Sequence, residues 1–349
     1  MLEQLVRIIN DSYLIKQKFL KYNRTKNISN LILRINCDHM KILISDKLQE
    51  EGIKIFKDNG FEVVANFEIT NEQLKKEIGN YDGIVIRSRT KLTAEVLEHA
   101  KNLKAIGRAG VGLDNVDREK AAELKIEVLN TPEAPSVSVA ELALGLMFTL
   151  ARHISNADRT MHNGEWNKKQ YLGYTLKGKK LGLIGFGNIA KQLAKKAVAL
   201  EMEVGVYSRF SKGVEAVEEA KNIGCKIYSS IDELLQDAQI VSLHLPATSQ
   251  TEKTINATNI KLMKKDSILI NTARGKLIEE KALINALRNK EIGGAALDVF
   301  REEPLKDTEL IKCEGNLILT PHLGAQTLET QVYAATKIAE KMSNYLKNL

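Results

Sequence analysis

The apolar residues of this 349-residue chain fall into short runs, and the segments between the runs repeat hydrophobic positions at helical spacing. From Met40 the runs are KILIS, FEVVA, GIVIRS, LKAIGRAG and KIEVLNTP, with helical segments near residues 48–59, 72–78 and 94–100. Short unalternating apolar runs read as strands covered on both faces, and their alternation with helices predicts a parallel sheet. A second series starts at Lys179 with LGLIG and continues through EVGVYS, KIYS, QIVSLHLP, SILINTARG, GGAALDVF and NLILTPH. Between the two series, residues 136–159 read as one long helix bridging two domains, with Ser138-Val-Ala-Glu141 as its capping box. A last helix near 327–349 repeats Val332, Ala335, Ile338, Ala339 and Met342 on one face. That face is expected to pack on the first series and make the first domain discontinuous.

Composition narrows the class. At 44% hydrophobic and 27% charged residues the chain reads as globular, and its length fits two domains. No apolar run reaches 18 residues; the longest candidate, 137–151, is broken by Glu141, which argues against a membrane span. The net charge of +7 resides largely in residues 1–39, which hold seven Lys/Arg against three Asp/Glu and so carry +4. The rest is dispersed along helical faces among glutamates, so neither nucleic acid nor a membrane is expected as partner. Residues 1–39 also lack the pattern of a secretory signal and read as an extension before the first strand. Cys37, Cys225 and Cys313 stand at no metal spacing, which predicts no metal site and a reducing, cytoplasmic setting.

The second series begins with Gly185-x-Gly187-x-x-Ala190, between an apolar strand and a helical segment that starts at Asn188 and Ile189. Gly185 permits a tight turn, Gly187 lets backbone N–H groups approach a pyrophosphate, and the helix N-terminus favours the anion. Residues 136–326 therefore read as a dinucleotide-binding Rossmann domain inserted into a flavodoxin-like substrate domain, 40–135 plus 327–349. The predicted fold class is α/β, with two doubly wound parallel sheets.

Ligands in such folds bind at the carboxyl ends of strands, and three strand ends here carry reactive groups. SILINTARGK delivers Arg274, a guanidinium able to hold a carboxylate through paired hydrogen bonds. GGAALDVFREEPL places Asp298 at the strand end, with Glu302 and Glu303 beyond. NLILTPHLGA presents His322 in a turn after Pro321; His244 also lies near a strand end, before Pro246. Each alone has a structural explanation. Together, arginine, carboxylate and histidine form a set for moving a proton and anchoring an acid while a nicotinamide takes the hydride.

With these residues in view, the chain from Met40 onward resembles the D-isomer-specific 2-hydroxyacid dehydrogenases. The likeness rests on IRSRTKLT (86–93), GRAGVGLDNVD (107–117), NTPEAPSVSVAELALG (130–145), NGEWNKK (163–169), NTARGKLI (271–278), AALDVFREEPL (295–305) and TPHLGA (320–325). The resemblance implies Arg274, Glu303 and His322 as catalytic residues. It implies cofactor contacts at Val111, Gly185, Gly187, Asn188, Ile189, Ser208, Arg209, Leu245, Thr272, Ala273, Arg274, Asp298, His322, Gly324 and Ala325. Substrate contacts are implied at Arg87, Ser88, Arg89, Gly110, Val111, Gly112, Arg274 and His322.

The first two segments favour the branch that oxidises 3-phospho-D-glycerate to 3-phosphohydroxypyruvate at the start of L-serine synthesis, because a phosphorylated acid needs a second anion site such as Arg87 and Arg89. The alternatives are a glyoxylate or hydroxypyruvate reductase, a broad 2-hydroxyacid dehydrogenase, or a non-enzyme, nucleotide-sensing partner protein built on this fold. Trp166 and residues 136–170 are expected to meet a partner subunit in a homodimer or a dimer of dimers.

Two departures stand out. The strand that in this family ends in an aspartate for the adenosine ribose ends here in Ser208-Arg209, followed by Lys212. NAD is the coenzyme implied by the resemblance, and the arginine leaves NADP open. After the last helix there are no residues for a small-molecule regulatory domain, so no serine feedback through such a domain is expected.

Overall fold

The computed structural model describes residues 40–209, 213–306 and 309–349; the expected extension 1–39, with Cys37, and Lys212 lie outside the described residues. It divides into two units, one within Met1–Thr131 together with Ala334–Leu349, the other Pro132–Tyr333.

The first unit alternates β1 (Lys41–Ile44), α1 (Glu50–Asp58), β2 (Glu62–Ala65), α2 (Asn71–Glu77), β3 (Gly83–Ile86), α3 (Ala94–Leu97), β4 (Ala105–Arg108), α4 (Arg118–Glu123) and β5 (Glu127–Asn130). The helices start where side chains satisfy their first N–H groups: Thr70 and Gln73 form a reciprocal capping box, and Thr93 and Asp117 cap α3 and α4. All strands are parallel, in the order β2-β1-β3-β4-β5. Ile42, Ile44, Ile84 and Ile106 are fully buried, which is why these strands read as unbroken apolar runs.

The chain's last residues cover one face of this sheet. Ile338, Ala339 and Met342 are fully buried, and a Cβ on Gly107 of β4 would stand 2.0 Å from Met342 Sδ. Glycine at 107 is thus set by the close approach of that helix.

The second unit opens with α5 (Ser136–Ala151) and α6 (Ile154–His162). It continues with β6 (Lys180–Ile184), α7 (Asn188–Ala199), β7 (Glu203–Tyr207), α8 (Val214–Ile223), β8 (Lys226–Ile227), α9 (Ile231–Asp237) and β9 (Ile240–Leu243). β10 (Ile268–Asn271), α10 (Glu280–Arg288), β11 (Gly294–Leu297), β12 (Leu317–Leu319) and α11 (Leu328–Lys347) complete the chain. The sheet order β12-β11-β10-β9-β6-β7-β8 reverses direction between β6 and β9, giving the switch point at which doubly wound folds bind ligands. The two parallel sheets with helices match the predicted α/β class. Ala143, Leu146, Met147 and Leu150 of α5 join Leu183, Leu193, Ile240 and Ile270 in one core cluster.

Two local expectations fail. The helix predicted over 136–159 is two helices bent by 64°. The break follows from tertiary contacts: Tyr174 N–H donates to the Ala151 carbonyl at 3.0 Å, and His153 adopts a left-handed φ of 54°. The capping box at Ser138 is absent, because the helix already starts at Ser136 after Pro135. The Ser138 hydroxyl instead donates to the Gly324 carbonyl at 2.8 Å and accepts from Thr330 Oγ1 at 3.0 Å, and Glu141 pairs with Lys196 at 2.9 Å.

Candidate active site

The ends of β10, β11 and β12 lie side by side, with Asn271 in register with Leu297 and Leu297 with Leu319. Each strand therefore releases its loop at the same edge of the sheet. Arg274 follows β10, where its guanidinium donates to the Ala273 carbonyl at 2.7 Å and its carbonyl accepts from Asn271 Nδ2 at 2.9 Å. Glu303 follows β11 and accepts the Phe300 N–H at 3.0 Å.

His322 follows β12 with a φ of 54°, in a turn built on a buried carboxylate. Asp298 accepts from Thr320 Oγ1 at 2.6 Å, Leu323 N at 2.7 Å and Gly324 N at 2.9 Å. Sequence reasoning counted Asp298 among the cofactor contacts; its geometry also makes it the anchor of the turn that presents His322. Thr320 and Thr330, which complete this support, carried no signal of this role in the sequence, and Ser138, the third member, carried a misleading one as a helix cap.

His322 Nδ1 and Glu303 Oε2 are 2.7 Å apart. A carboxylate only accepts, so Nδ1 carries the proton and Nε2 is left as the nitrogen that exchanges a proton with a ligand. Hydrogen bonding to Glu303 raises the imidazole above its usual 6.5, against burial and the Arg274 charge, which lower it. Burial pushes Glu303 up, but bonds from His322 and the Phe300 N–H, with the nearby His322 and Arg274 charges, hold it below its usual 4.5. The positive charge of Arg274 thus acts on both partners. The three residues thus set an imidazole and the carboxylate that orients it at the same sheet edge as a guanidinium of the kind that can hold a carboxylate.

At the switch point the Gly185 turn has a φ of 101°, and a Cβ there would stand 2.4 Å from the His244 carbonyl. Leu245 packs beside it, while the space next to Gly187 is open. Asn188 and Ile189 start α7 with the unpaired N–H groups of a helix N-terminus. The buried Thr272 hydroxyl, before Ala273, has no hydrogen-bond partner among the described residues. An open glycine turn at a helix start and an orphaned hydroxyl on the same sheet edge fit a bound dinucleotide.

His244 differs from His322. Burial pushes it down to about 4, and its Nε2 lies 2.9 Å from Ser242 Oγ, so it is a neutral packing residue. Ser208 is half-buried beyond β7, and Arg209 is exposed and donates to Gln250 Oε1 at 2.6 Å. Ala325 follows Gly324, and its carbonyl accepts from Gln331 at 2.6 Å.

The remaining predicted residues cluster in the first unit. Arg87, Ser88 and Arg89 follow β3; Gly110, Val111 and Gly112 follow β4, where Asn130 Nδ2 donates to the Val111 carbonyl at 2.7 Å. Asp46, missed in the sequence although it ends β1 much as Asp298 ends β11, organises the first of these loops. Among the described residues no group of His, Cys, Asp and Glu is placed for a metal, and no single helix is long and apolar enough to cross a membrane.

A glycine turn fit for a dinucleotide, a paired imidazole and carboxylate, and a guanidinium all stand at strand ends of this one parallel sheet. Comparison places the site more closely: residues 144–324 match the model of the D-isomer specific 2-hydroxyacid dehydrogenase NAD binding domain, and the chain belongs to that family. It is 45% identical over 308 residues to the D-3-phosphoglycerate dehydrogenase of Methanocaldococcus jannaschii, covering 88% of this chain and 58% of that protein. The chain thus spans somewhat over half the length of that relative. It is 40% identical over 305 residues to the hydroxypyruvate reductase of Thermotoga maritima, covering 86% of this chain and 97% of that one. Among solved structures, the NADPH-dependent glyoxylate/hydroxypyruvate reductase of Sinorhizobium meliloti, in complex with NADP and malonate, superposes with a TM-score of 0.76 at 25% identity, over 88% and 93% of the two chains.

Proposed function

We propose that this protein oxidises 3-phospho-D-glycerate to 3-phosphohydroxypyruvate, the opening step of L-serine synthesis, in the cytoplasm. The observation that carries the chemistry is the His322–Glu303 pair beside Arg274. Arg274 takes the substrate carboxylate through its guanidinium and polarises the oxygen at C2. His322 Nε2 takes the hydroxyl proton, and Glu303 stabilises the imidazolium that results. NAD, when bound on the Gly185 turn, supplies the hydride acceptor.

The phosphate is assigned to Arg87, Ser88 and Arg89, a cationic loop that a substrate without phosphate leaves unused. The test is reduction of 3-phosphohydroxypyruvate, hydroxypyruvate and glyoxylate by the purified protein. A kcat/KM at least tenfold higher for the phosphorylated acid, about 1.4 kcal/mol of transition-state binding, is the expected result. A preference for hydroxypyruvate or glyoxylate would transfer the assignment to the reductase branch.

NADPH is proposed as a second coenzyme. No acid ends β7 to repel a 2′-phosphate, and Gln250 holds the Arg209 guanidinium beside Ser208. Comparable kcat/KM with NADH and NADPH supports this; a hundredfold preference for NADH refutes it. A homodimer is proposed on the apolar surface of the segment after α5, where Trp166 is 79% and Leu172 89% exposed. Light scattering at monomer mass would refute it.

A further inference from the structure

The loop that follows β3 is assembled around one buried carboxylate. Asp46, only 4% exposed, accepts the Arg87 N–H at 2.6 Å and the Thr90 N–H at 3.2 Å on Oδ2. Its Oδ1 accepts Thr90 Oγ1 at 2.6 Å and Arg89 Nε at 3.1 Å. Both oxygens are therefore doubly used. Asn115 Nδ2 closes the other side of the loop, donating to the Arg87 and Thr90 carbonyls at 2.7 and 2.6 Å.

This clamp sorts the donors of the loop. The outer N–H groups, those of Arg87 and Thr90, turn onto Asp46. Those of Ser88 and Arg89 between them meet no protein acceptor among the described residues. The two guanidiniums are sorted as well. Arg89 uses all three nitrogens on the protein: Nε on Asp46, one terminal nitrogen on the Ile69 carbonyl at 3.1 Å, and the other on the Ser45 carbonyl. Arg87 makes one contact, to the Lys47 carbonyl at 3.3 Å, and keeps its other donors. Burial lowers the Arg87 pKa, with the Asp46 charge working against that shift. Two adjacent unpaired N–H groups, a hydroxyl and a guanidinium with unused donors form a cradle for a tetrahedral oxyanion.

We infer that Asp46 is the positioning residue of the proposed phosphate loop, residues 87–90. It turns the outer N–H groups of the loop inward, neutralises Arg89 as a strap, and leaves Arg87 with the Ser88 and Arg89 N–H groups to meet the phosphate. This rests on the phosphorylated substrate proposed above. It divides two arginines that look equivalent in the sequence: Arg87 is the ligand-facing cation, and Arg89 acts mainly through the loop.

The experiment compares 3-phosphohydroxypyruvate with hydroxypyruvate as substrates for the full chain and for Asp46→Asn, Thr90→Val, Arg87→Gln and Arg89→Gln. The readout is the ratio of their kcat/KM values, with NADH affinity and melting temperature as checks on folding. In Asp46→Asn one of the two doubly used oxygens becomes an NH2, which meets either the Arg87 and Thr90 N–H groups or Arg89 Nε whichever way the amide turns, so the ratio is expected to fall at least tenfold, mainly through the KM of the phosphorylated acid. A residue that merely supports the fold moves both substrates together. Arg87→Gln should collapse the ratio towards one, and Arg89→Gln should lower it at least threefold less than Arg87→Gln. Should Asp46→Asn fail to fold, Thr90→Val, which removes one donor to the same carboxylate, should shift the ratio in the same direction by a smaller factor. An unchanged ratio in the Asp46 or Thr90 variant, or equal losses in the two arginine variants, overturns the inference while leaving the substrate assignment intact. A wild-type ratio near one overturns the substrate assignment itself, and the inference with it.

Discussion

Replacing Glu303 by Gln tests the electrostatic half of the His322–Glu303 pair while sparing its geometry. The amide oxygen can still accept the Nδ1 proton, so ring orientation and tautomer are retained and only the charge is lost. Two unit charges about 4 Å apart interact by roughly 1 kcal/mol in water and about 4 kcal/mol at an effective dielectric of 20. The side chains of His322 and Glu303 are 50% and 37% exposed, so the value belongs near the lower limit. About 1.5 kcal/mol corresponds to roughly one pKa unit.

The assay is kcat/KM against pH in both directions, which reports the free enzyme's titrations. Reduction needs the protonated imidazole, so its rate falls as pH rises through the His322 pKa. Oxidation needs the neutral ring and rises through the same value. Both limbs should move down by about one unit in the variant, giving roughly tenfold slower reduction on the alkaline side and little difference well below the transition. An unmoved limb with a uniform loss at every pH would refute the electrostatic role and leave Glu303 as an orienting residue alone.

Three further outcomes follow from the same geometry. His322 is raised above 6.5 and Glu303 lowered below 4.5, so the pair's contribution to stability is fully present between those values. The melting-temperature deficit of Glu303→Gln should therefore be largest there, shrinking as pH falls through the Glu303 pKa or rises through that of His322; a deficit independent of pH contradicts this. Gly185→Ala places a side chain at a φ of 101° and 2.4 Å from the His244 carbonyl. A loss of about 1–3 kcal/mol and at least tenfold weaker NADH binding are expected, and unchanged calorimetric affinity and melting would disprove the turn's role. Asp298→Ala leaves the Thr320 hydroxyl and the Leu323 and Gly324 N–H groups without their acceptor. Losing that anchor displaces His322, and about 1 Å of displacement costs roughly a hundredfold in kcat; a variant with full kcat would show that the turn holds itself.

Much of the site was legible because strand ends announce themselves. Arg274, Asp298 and His322 stand out because each is a charged or titratable group where an apolar run covered on both faces stops, although Asp298 is spent on the turn that presents His322. The glycines at 185 and 187 were readable for the same reason, as backbone requirements expressed in residue type. Less visible were residues whose role depends on distant partners. Asp46 serves a loop about forty residues further on, and Gln250 holds Arg209 across a similar stretch. Ser138 misled for this reason: the local rule made it a cap, whereas its hydroxyl answers the Gly324 carbonyl.

By itself, the sequence determined what local physics controls: alternating strands and helices, the glycine turn, the residue types that stand at the three strand ends, and a C-terminal helix with one apolar face. Tertiary structure decided where long-range contacts compete with local preference. It broke the helix at Ala151, because Tyr174 takes a carbonyl that the next helical turn would have used. It also separated Arg87 from Arg89, which one carboxylate treats differently, by bonding the backbone of the first and the guanidinium of the second. Spacing along a chain cannot carry such information, since hydrogen-bond partners are chosen by where the backbone arrives in space.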